Sequence, residues 1–410
     1  MDKEIENRNR AKKWVLAVCC LVAVAGIGLH NAYSVFIPSV LSDLSIGQSV
    51  YGLLSIGTSI MSSLCSFLVV RIAVRRGAKV VIAAGSLLTL LGYLVMAASR
   101  NVVVFFIAKL IDGLGYGLLG NTMLFLIINQ WFPEGSGTAS SIMMCFSGIA
   151  GTVFSPLFAR CIERIGFRAS FIVVGFGCVI LCLPFLLIKE RLYSSYIDEE
   201  PQRESAPVEK VESYPELNKK SAAFFCVCMV GGFSFLNTIT GTYLTSFGLE
   251  KGLDLAQASL LISAGMIGNT VSKLINGVMS DHIGVLPTNI IMFAISLVST
   301  ACLLLTDQLV LLLLLSFLYG FVYSVSGLGY SLTDKEIYGP EQYRKAQPIV
   351  VFISTVTYSI GLPIIGGLYD LTGSYALPFL CSSGFSLLAI GCLIYLMGLR
   401  KDGVKTERIY

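Results

Sequence analysis

The sequence predicts an all-α membrane protein with twelve transmembrane helices in two similar six-helix halves. This prediction depends on the composition of the chain, on its long apolar segments, and on a repeat that relates the two halves. The 410-residue chain is 55% hydrophobic and only 13% charged. An average soluble domain is about 25% charged. A chain so poor in charge needs an apolar solvent around much of its surface.

Each predicted span is a run of about 20 mostly apolar residues, the length with which a helix crosses the hydrocarbon core of a bilayer. The runs are rich in Gly, Ala, Ser and Thr, which let helices approach closely in lipid. In chain order the spans cover 14–38, 50–70, 80–99, 102–128, 138–159, 169–188, 221–244, 256–279, 287–305, 308–332, 347–369 and 376–398.

The distribution of basic residues predicts the orientation. With the N-terminus inside, the cytoplasmic segments carry 22 Lys and Arg, and the loops on the opposite side carry 5. The positive-inside rule therefore places both termini in the cytoplasm. The expected location is the cell (inner or plasma) membrane. We expect no cleavable signal peptide, because the first apolar run is too long and lacks a small-residue cleavage site.

The two halves are related by a constant offset of 207 residues. An acid-x-x-Gly-x-x-Ala pattern starts at Glu163 and again at Asp370. These matches predict an N-terminal six-helix bundle over 1–188, a charged cytoplasmic linker over 189–220 and a C-terminal six-helix bundle over 221–410. Other residues that match at this offset are Gly77 with Gly284, Gly113 with Gly320, Tyr116 with Tyr323, and Pro156 with Pro363.

Several functional classes find no support in the sequence. With two histidines and no cluster of His, Asp and Glu, the chain offers neither a catalytic constellation nor a metal site. No Walker A motif is present, so ATP-driven transport is unsupported. The net charge of +4 belongs to loops beside the membrane. We therefore expect no enzymatic activity, no cofactor, no metal and no nucleic-acid partner. The expected partners of a monomeric chain are a small molecule and the lipid bilayer.

The loop after the second helix of each half carries a recognisable motif. In the second half it reads Gly277-Val-Met-Ser-Asp281-His-Ile-Gly284. In the first half Arg75 and Gly77 are kept, but Val74 stands at the acidic position. Together with two parallel six-helix repeats, this motif resembles the major facilitator superfamily. The resemblance implies the major facilitator fold and a gating or structural role for Gly277, Asp281, Gly284, Arg75 and Gly77.

Four stretches resemble one branch of that superfamily, the oxalate:formate antiporters and monocarboxylate porters. They lie at 33–38, 129–139, 269–281 and 366–375. The sequence also departs from the branch: the predicted span 347–369 has no lysine. The Asp and Arg that proton-coupled members carry four residues apart are replaced by Asn269 and Lys273. The resemblance implies an organic-anion transporter but brings no proton site with it.

Lys273 is the only basic residue within a predicted span of the second half. A charge inside the bilayer is costly and usually faces a cavity or a partner. One interpretation is that Lys273 binds the carboxylate of an anionic substrate, with Asn269 one turn away on the same face. The other is that its ammonium reaches along the helix to the cytoplasmic surface.

Lys109 and Asp112 lie three residues apart in the fourth predicted helix, a spacing that allows an ion pair on one face. Either they form a structural pair or Asp112 carries protons. His30 in the first helix could exchange a proton near neutral pH or donate a hydrogen bond to a carboxylate. A buried structural histidine is the alternative. Asp112 and His30 are therefore the candidates for proton coupling.

In the superfamily that the sequence resembles, helices 1, 4, 7 and 10 line the substrate cavity. We therefore predict that the substrate is bound by polar residues of these helices together with two from the eighth. They are Lys273, His30, Asn31, Tyr33, Asn121, Asn237, Thr238, Tyr243, Asn269 and Tyr323.

These features lead to the hypothesis of a secondary transporter for a small organic anion, in the first place a monocarboxylate. It would work by alternating access as the halves rock around a midplane site, by antiport or by proton symport. The alternative is a porter of the same superfamily for a larger amphipathic or uncharged substrate, such as a drug-like compound or an exported metabolite. In that case Lys273 would be structural.

Overall fold

The structure, a computed structural model, describes residues 2–132, 136–187 and 221–407. No strand occurs in these three ranges. Ten helical stretches within them have the length and apolar composition needed to cross a membrane. One of the ten, Ile142–Leu186, contains two of the predicted spans, joined at Gly166. The predicted all-α membrane fold is confirmed.

Six helices form the first half of the chain. Two of them share the continuous stretch Ser136–Leu186, which bends where Gly166 adopts a φ of 80°. The six are α1 (Ala11–Leu44), α2 (Gln48–Arg76), α3 (Ala78–Ala98), α4 (Val102–Leu119 and Asn121–Trp131), α5 (136–165) and α6 (167–186).

Six further helices form the second half. The chain is helical without a break from Tyr330 to Thr372 except at Gly339, whose φ of 69° separates two helices. The six are α7 (Ala222–Glu250), α8 (Leu255–Ile283), α9 (Val285–Leu303), α10 (Leu309–Gly339), α11 (Lys345–Thr372) and α12 (Ala376–Leu399).

The helices α1 and α10 both depart from regular α-helical geometry. α1 contains a π-helical turn, Val24–Gly28, followed by a 3₁₀ turn, Tyr33–Phe36. α10 contains a π-helical turn at Val325–Gly329. Such turns leave backbone groups without their usual partners and are frequent at functional sites. In addition, α4 is interrupted at Gly120, whose ψ is −176°.

Large apolar side chains cover much of the outer surface of the helices. Val103, Ile180 and Phe352 are each more than 60% exposed. Monomeric soluble proteins rarely expose large continuous apolar surfaces to water. In a bilayer these side chains contact hydrocarbon instead of water, so their exposure costs little free energy. The surface therefore agrees with a protein that crosses a membrane several times.

Two pairs of repeat-related glycines have positive φ values in both halves. Gly77 and Gly284 end α2 and α8 with φ values of 87° and 89°. Gly166 and Gly373 have φ values of 80° and 68°. Residues with a Cβ rarely adopt positive φ, so glycine is favoured at each turn. The ψ values of Gly77 and Gly284, 155° and 160°, also agree, whereas those of Gly166 and Gly373, 157° and 13°, differ.

The chain folds as two compact units. The first is Met1–Ser45 with Leu54–Val211, and the second is Ile46–Leu53 with Glu212–Tyr410. Asp370 of α11 explains why the first turns of α2 belong to the second unit. Its carboxylate accepts hydrogen bonds from the backbone N–H groups of Gln48 and Ser49, at 2.8 Å each. The predicted linker, 189–220, lies outside the described residues, and the predicted domain bounds stay a prediction.

Candidate functional site

The predicted residues His30 and Asp112 meet inside the first unit. Nε2 of His30, on α1, lies 3.1 Å from Oδ2 of Asp112, on α4. The Asp112 side chain is fully buried, whereas the His30 side chain is 18% exposed. The other carboxylate oxygen of Asp112, Oδ1, is buried and has no hydrogen-bond partner among the described residues. The pair thus joins a sheltered carboxyl to an imidazole that remains partly accessible.

Lys109 brings a second nitrogen base to the same place. It precedes Asp112 by one turn of α4 and is 4% exposed. Its Nζ lies 3.6 Å from the centroid of the Tyr33 ring, where an ammonium is attracted by the negative face of the aromatic system. The His30 ring packs on Tyr116, with 4.3 Å between centroids. The sequence pointed to Lys109 and Asp112 on one helix and to His30 separately, and the structure brings His30 into contact with Asp112.

Close packing around α4 fixes the position of Asp112. A Cβ on Gly92 of α3 would lie 2.9 Å from the backbone N of Asp112. A Cβ on Gly113 would lie 2.6 Å from the backbone O of Thr58 on α2. Real side chains do not fit at these distances, so only glycine permits the contacts. α2 and α3 therefore hold α4 in the register that directs Asp112 to His30.

The repeat shows what the second unit has in the equivalent place. The offset of 207 residues relates His30 to Asn237 and Asp112 to Tyr319. The Tyr319 hydroxyl donates to the backbone O of Asn237 at 2.8 Å and accepts from the N–H of Gly241 at 2.8 Å. Neutral groups thus join α7 to α10, where α1 and α4 are joined by ionisable ones.

Lys273 lies beside the irregular part of α10 in the second unit. A Cβ on Gly327, within the π-helical turn, would lie 3.2 Å from Cε of Lys273 and 3.9 Å from its Nζ. Gly327 is the repeat equivalent of Gly120, where α4 is interrupted. One turn before Lys273 on α8, Asn269 is 4% exposed. Its Oδ1 has no hydrogen-bond partner in the part of the chain that is described.

A buried amide network holds the π-helical turn of α10, and the sequence did not point to it. Nδ2 of Asn289, on α9, donates to the backbone O of Gly329 and to the Thr333 hydroxyl, at 2.9 Å each. Asn276 of α8 donates to Oδ1 of Asn289 at 3.1 Å. The network satisfies the carbonyl of the last residue of the π-helical turn. The only signal in the sequence is an amide within an apolar span.

Most of the other predicted substrate-binding residues form hydrogen bonds within their own unit. Asn31 donates from Nδ2 to the backbone O of Ser147 at 3.2 Å. Thr238 donates to the O of Phe235 at 2.6 Å. Tyr243 is buried and donates to a backbone oxygen of α11 at 3.2 Å. That these residues bind the substrate stays a prediction.

Two further predicted residues lie beside features of the helical backbone. Asn121 is exposed and is the first residue after the interruption at Gly120. Tyr323 is close to the place that a side chain on Gly241 would occupy. Of the motif residues in the loops, Arg75 and Asp281 are exposed at helix ends. Their gating role also stays a prediction, as does that of Gly277.

A polytopic helical fold with ionisable groups buried between its helices is typical of membrane transporters. The model of the Major Facilitator Superfamily matches residues 16–335 and 224–408. The chain therefore belongs to the Major Facilitator Superfamily, a family of transporters. Among the described residues, no three His, Cys, Asp or Glu side chains form a group that could hold a metal ion.

The chain resembles several curated transporters at low identity. Monocarboxylate transporter 12-B of Danio rerio is 25% identical over 314 residues, which cover 70% of this chain and 65% of that protein. The hexuronate transporter of Bacillus subtilis is 24% identical over 385 residues, which cover 88% of each chain. Among solved structures, the nucleoside transporter NupG has a TM-score of 0.73 at 15% identity, covering 93% of this chain and 99% of that one. This last likeness shows the fold alone.

Proposed function

We propose that the protein is a secondary transporter of a small organic anion, in the first place a monocarboxylate, and that it works by alternating access with proton coupling. The observation that carries the substrate class is the position of Lys273 beside the π-helical turn of α10. A cation inside a membrane span attracts an anionic ligand, and such residues often mark substrate pathways.

The distance of the Lys273 ammonium from the end of α10 supports this role over a purely structural one. A lysine that reaches the membrane surface extends its chain toward the end of its helix. The ammonium of Lys273 instead lies near Gly327. That residue is about 18 Å from the end of α10 at a helical rise of 1.5 Å per residue. Asn269 adds a buried amide on the same face of α8, which suits a second hydrogen bond to a carboxylate.

The similar proteins agree with an anionic substrate. One is named for monocarboxylates and another for hexuronates, and both classes of compound carry one carboxylate. The matched region covers 65% of the monocarboxylate transporter. Monocarboxylate transport by this chain is therefore part of the proposal. A monocarboxylate and a sugar acid would both offer Lys273 the same charged group.

The His30–Asp112 pair supplies the proton coupling in this proposal. The Asp and Arg of proton-coupled relatives are replaced in α8 by Asn269 and Lys273, so a carboxyl elsewhere has to take the proton. Asp112 has an imidazole within hydrogen-bond distance. His30 would pass the proton between the buried carboxyl and water.

The orientation is part of the proposal. The excess of basic residues, 22 against 5, favours cytoplasmic termini. A coupled transporter that uses a proton gradient would act in the cell membrane. Labelling of single cysteines introduced at each terminus, in sealed cells, measures this orientation directly.

Uptake into proteoliposomes tests the substrate class. The panel comprises labelled monocarboxylates, hexuronates, dicarboxylates and an uncharged nucleoside, with and without a pH gradient. Lys273→Gln should lower anion uptake about 10- to 100-fold, because a hydrogen bond to a charged group contributes roughly 1.5–3 kcal/mol. Lys273→Arg should keep part of the uptake. Lys345→Gln, which removes an exposed lysine of α11, is the matched control.

Undiminished anion uptake by Lys273→Gln would overturn the proposed role of this residue. Uptake of the nucleoside alone would overturn the substrate class and favour the alternative of an uncharged substrate. The coupling is read from Asp112→Asn, which should still exchange labelled for unlabelled anion but should lose its response to the pH gradient.

A further inference from the structure

The second unit contains a buried carboxyl that the proposed function does not use. Asp334 of α10 is fully buried. Neither of its side-chain oxygens has a hydrogen-bond partner in the described residues. It lies five residues before Gly339, where the positive φ ends α10. A carboxyl group that is both buried and without partners is rare in folded proteins.

Among the described residues, the titratable groups near Asp334 carry no positive charge. The titratable side chains near it are Cys228 of α7 and two tyrosines of α10 itself, Tyr330 and Tyr338. Thiols and phenols are neutral near pH 7. From α9, Asn289 reaches the adjacent Thr333 rather than the carboxyl. Within the described part of the chain, the Asp334 carboxyl forms neither a hydrogen bond nor an ion pair.

We propose that Asp334 is a proton-binding site of the second unit, which holds a proton in this conformation and releases it to water when the carboxyl becomes accessible. An ionised carboxylate without a cation or a donor is far more costly to bury than the neutral acid. The reaction is the dissociation of the acid into its carboxylate and a proton. A metal ion would need several ligands, whereas the site provides a single carboxyl.

The repeat shows that packing does not require an acid at this position. The equivalent of Asp334 in α4 is Ile127, which is 3% exposed. The repeat continues through this region, because Trp131 corresponds to the aromatic Tyr338. The sequence Pro-Glu at 133–134 recurs at 340–341. The same scaffold thus buries an apolar side chain in one half and a carboxyl in the other, so the acid serves proton binding rather than packing.

Infrared spectroscopy of the purified full-length protein at neutral pH tests the protonation state. The wild type should show the carbonyl stretch of a protonated carboxylic acid, and Asp334→Asn should lose that band. Asp112→Asn is the matched control, because it removes the other buried aspartate and should leave the Asp334 band in place. Identical spectra of wild type and Asp334→Asn in the carboxylic acid region would overturn the proposal, since Asp334 would then be ionised.

A second variant keeps the test decisive if Asp334→Asn does not fold. Asp334→Glu retains a carboxyl, and its acid band should shift rather than disappear. An unshifted band would show that the signal belongs to another residue and would also overturn the proposal. Circular dichroism and size-exclusion chromatography identify the folded variants before the spectra are compared.

Transport measurements separate this proposal from the proposed function. In proteoliposomes, the stimulation of uptake by a pH gradient should fall to about one-fold in Asp334→Asn, while exchange of labelled for unlabelled anion persists. Unchanged stimulation would show that Asp334 releases no proton during transport and would overturn the proposal. If no organic anion is transported at all, the proposed substrate class fails, yet the infrared band still decides whether Asp334 binds a proton.

Discussion

The contact between His30 and Asp112 can be measured as a coupling free energy. The design is a double-mutant cycle of His30→Ala, Asp112→Ala and the double variant. Alanine removes each partner without introducing a new hydrogen bond, and the cavity terms of the single variants cancel in the cycle. What remains is the interaction between the imidazole and the carboxylate.

The structure sets the magnitude of the coupling. The N–O distance is 3.1 Å, the carboxylate is fully buried and the imidazole is 18% exposed. Hydrogen bonds to charged groups contribute about 1.5–3 kcal/mol, against roughly 0.5–1.5 kcal/mol between neutral groups. We therefore expect a coupling of about 2 kcal/mol, which is roughly a 30-fold change in the unfolding equilibrium constant.

The chain provides its own reporter for this measurement. Its two tryptophans, Trp14 and Trp131, lie on α1 and α4, the helices that carry His30 and Asp112. Their fluorescence during denaturant unfolding in detergent micelles follows the first unit. The midpoint and slope of each curve give the free energy of unfolding of each variant.

A second cycle, between His30 and Asp43, is the control. Asp43 lies thirteen residues further along the chain, or about 20 Å at 1.5 Å per residue. It is paired with Arg168, at 2.6 Å. The two substitutions should add to within about 0.5 kcal/mol. If the coupling between His30 and Asp112 is no larger than that of this control cycle, the assignment of the contact as a charged pair is refuted.

Three further predictions concern stability, measured as free energies of unfolding by circular dichroism. Gly92→Ala should lower the free energy of unfolding by about 1–3 kcal/mol through overpacking against Asp112. The control Gly177→Ala, with no atom within 4 Å of the new Cβ, should change it by less than about 0.5 kcal/mol. Equal effects of the two substitutions would contradict the contact between Gly92 and Asp112. Asn289→Ala should cost roughly 2–3 kcal/mol by leaving buried groups unpaired, and a smaller loss would show that water replaces the amide. Asp334→Leu should raise the free energy of unfolding by about 1 kcal/mol, since it removes a buried polar group without partners among the described residues. A decrease of more than about 1 kcal/mol would show that the carboxyl has a structural partner.

The helices and the repeat could be predicted because each depends on local chemistry. Long apolar runs have only one stable form in lipid, and each predicted span overlaps a helical stretch of the structure. The repeated glycines could be recognised for a similar reason, as Gly77 and Gly284 mark turns that require a positive φ. The predicted boundaries differ from the observed helix ends by several residues at many places; the tenth span, for example, was predicted to end at residue 332, and α10 continues to Gly339.

The contacts of the candidate site depend on how helices are rotated against each other, and spacing within one helix does not contain that information. The three-residue spacing of Lys109 and Asp112 could be read from the sequence, but the choice of His30 as a partner could not. Asn289 was missed because its function arises from a π-helical turn on another helix. Asp334 was missed because the predicted boundary placed it in a cytoplasmic segment.

The comparison between halves shows which ionisable residues the six-helix fold does not require. At several places within the helices one half has an ionisable group where the other half has a neutral residue. They include His30 and Asn237, Lys109 and Ser316, Asp112 and Tyr319, Lys273 and Ser66, and Asp334 and Ile127. Since a six-helix bundle of this type forms with either kind of residue, folding does not require the charges. Taking ionisable groups out of water costs free energy even when they are paired, which agrees with the proposed binding and release of ions. In the two proposals the first unit carries one proton site, and the second carries an anion site and a further proton site at Asp334.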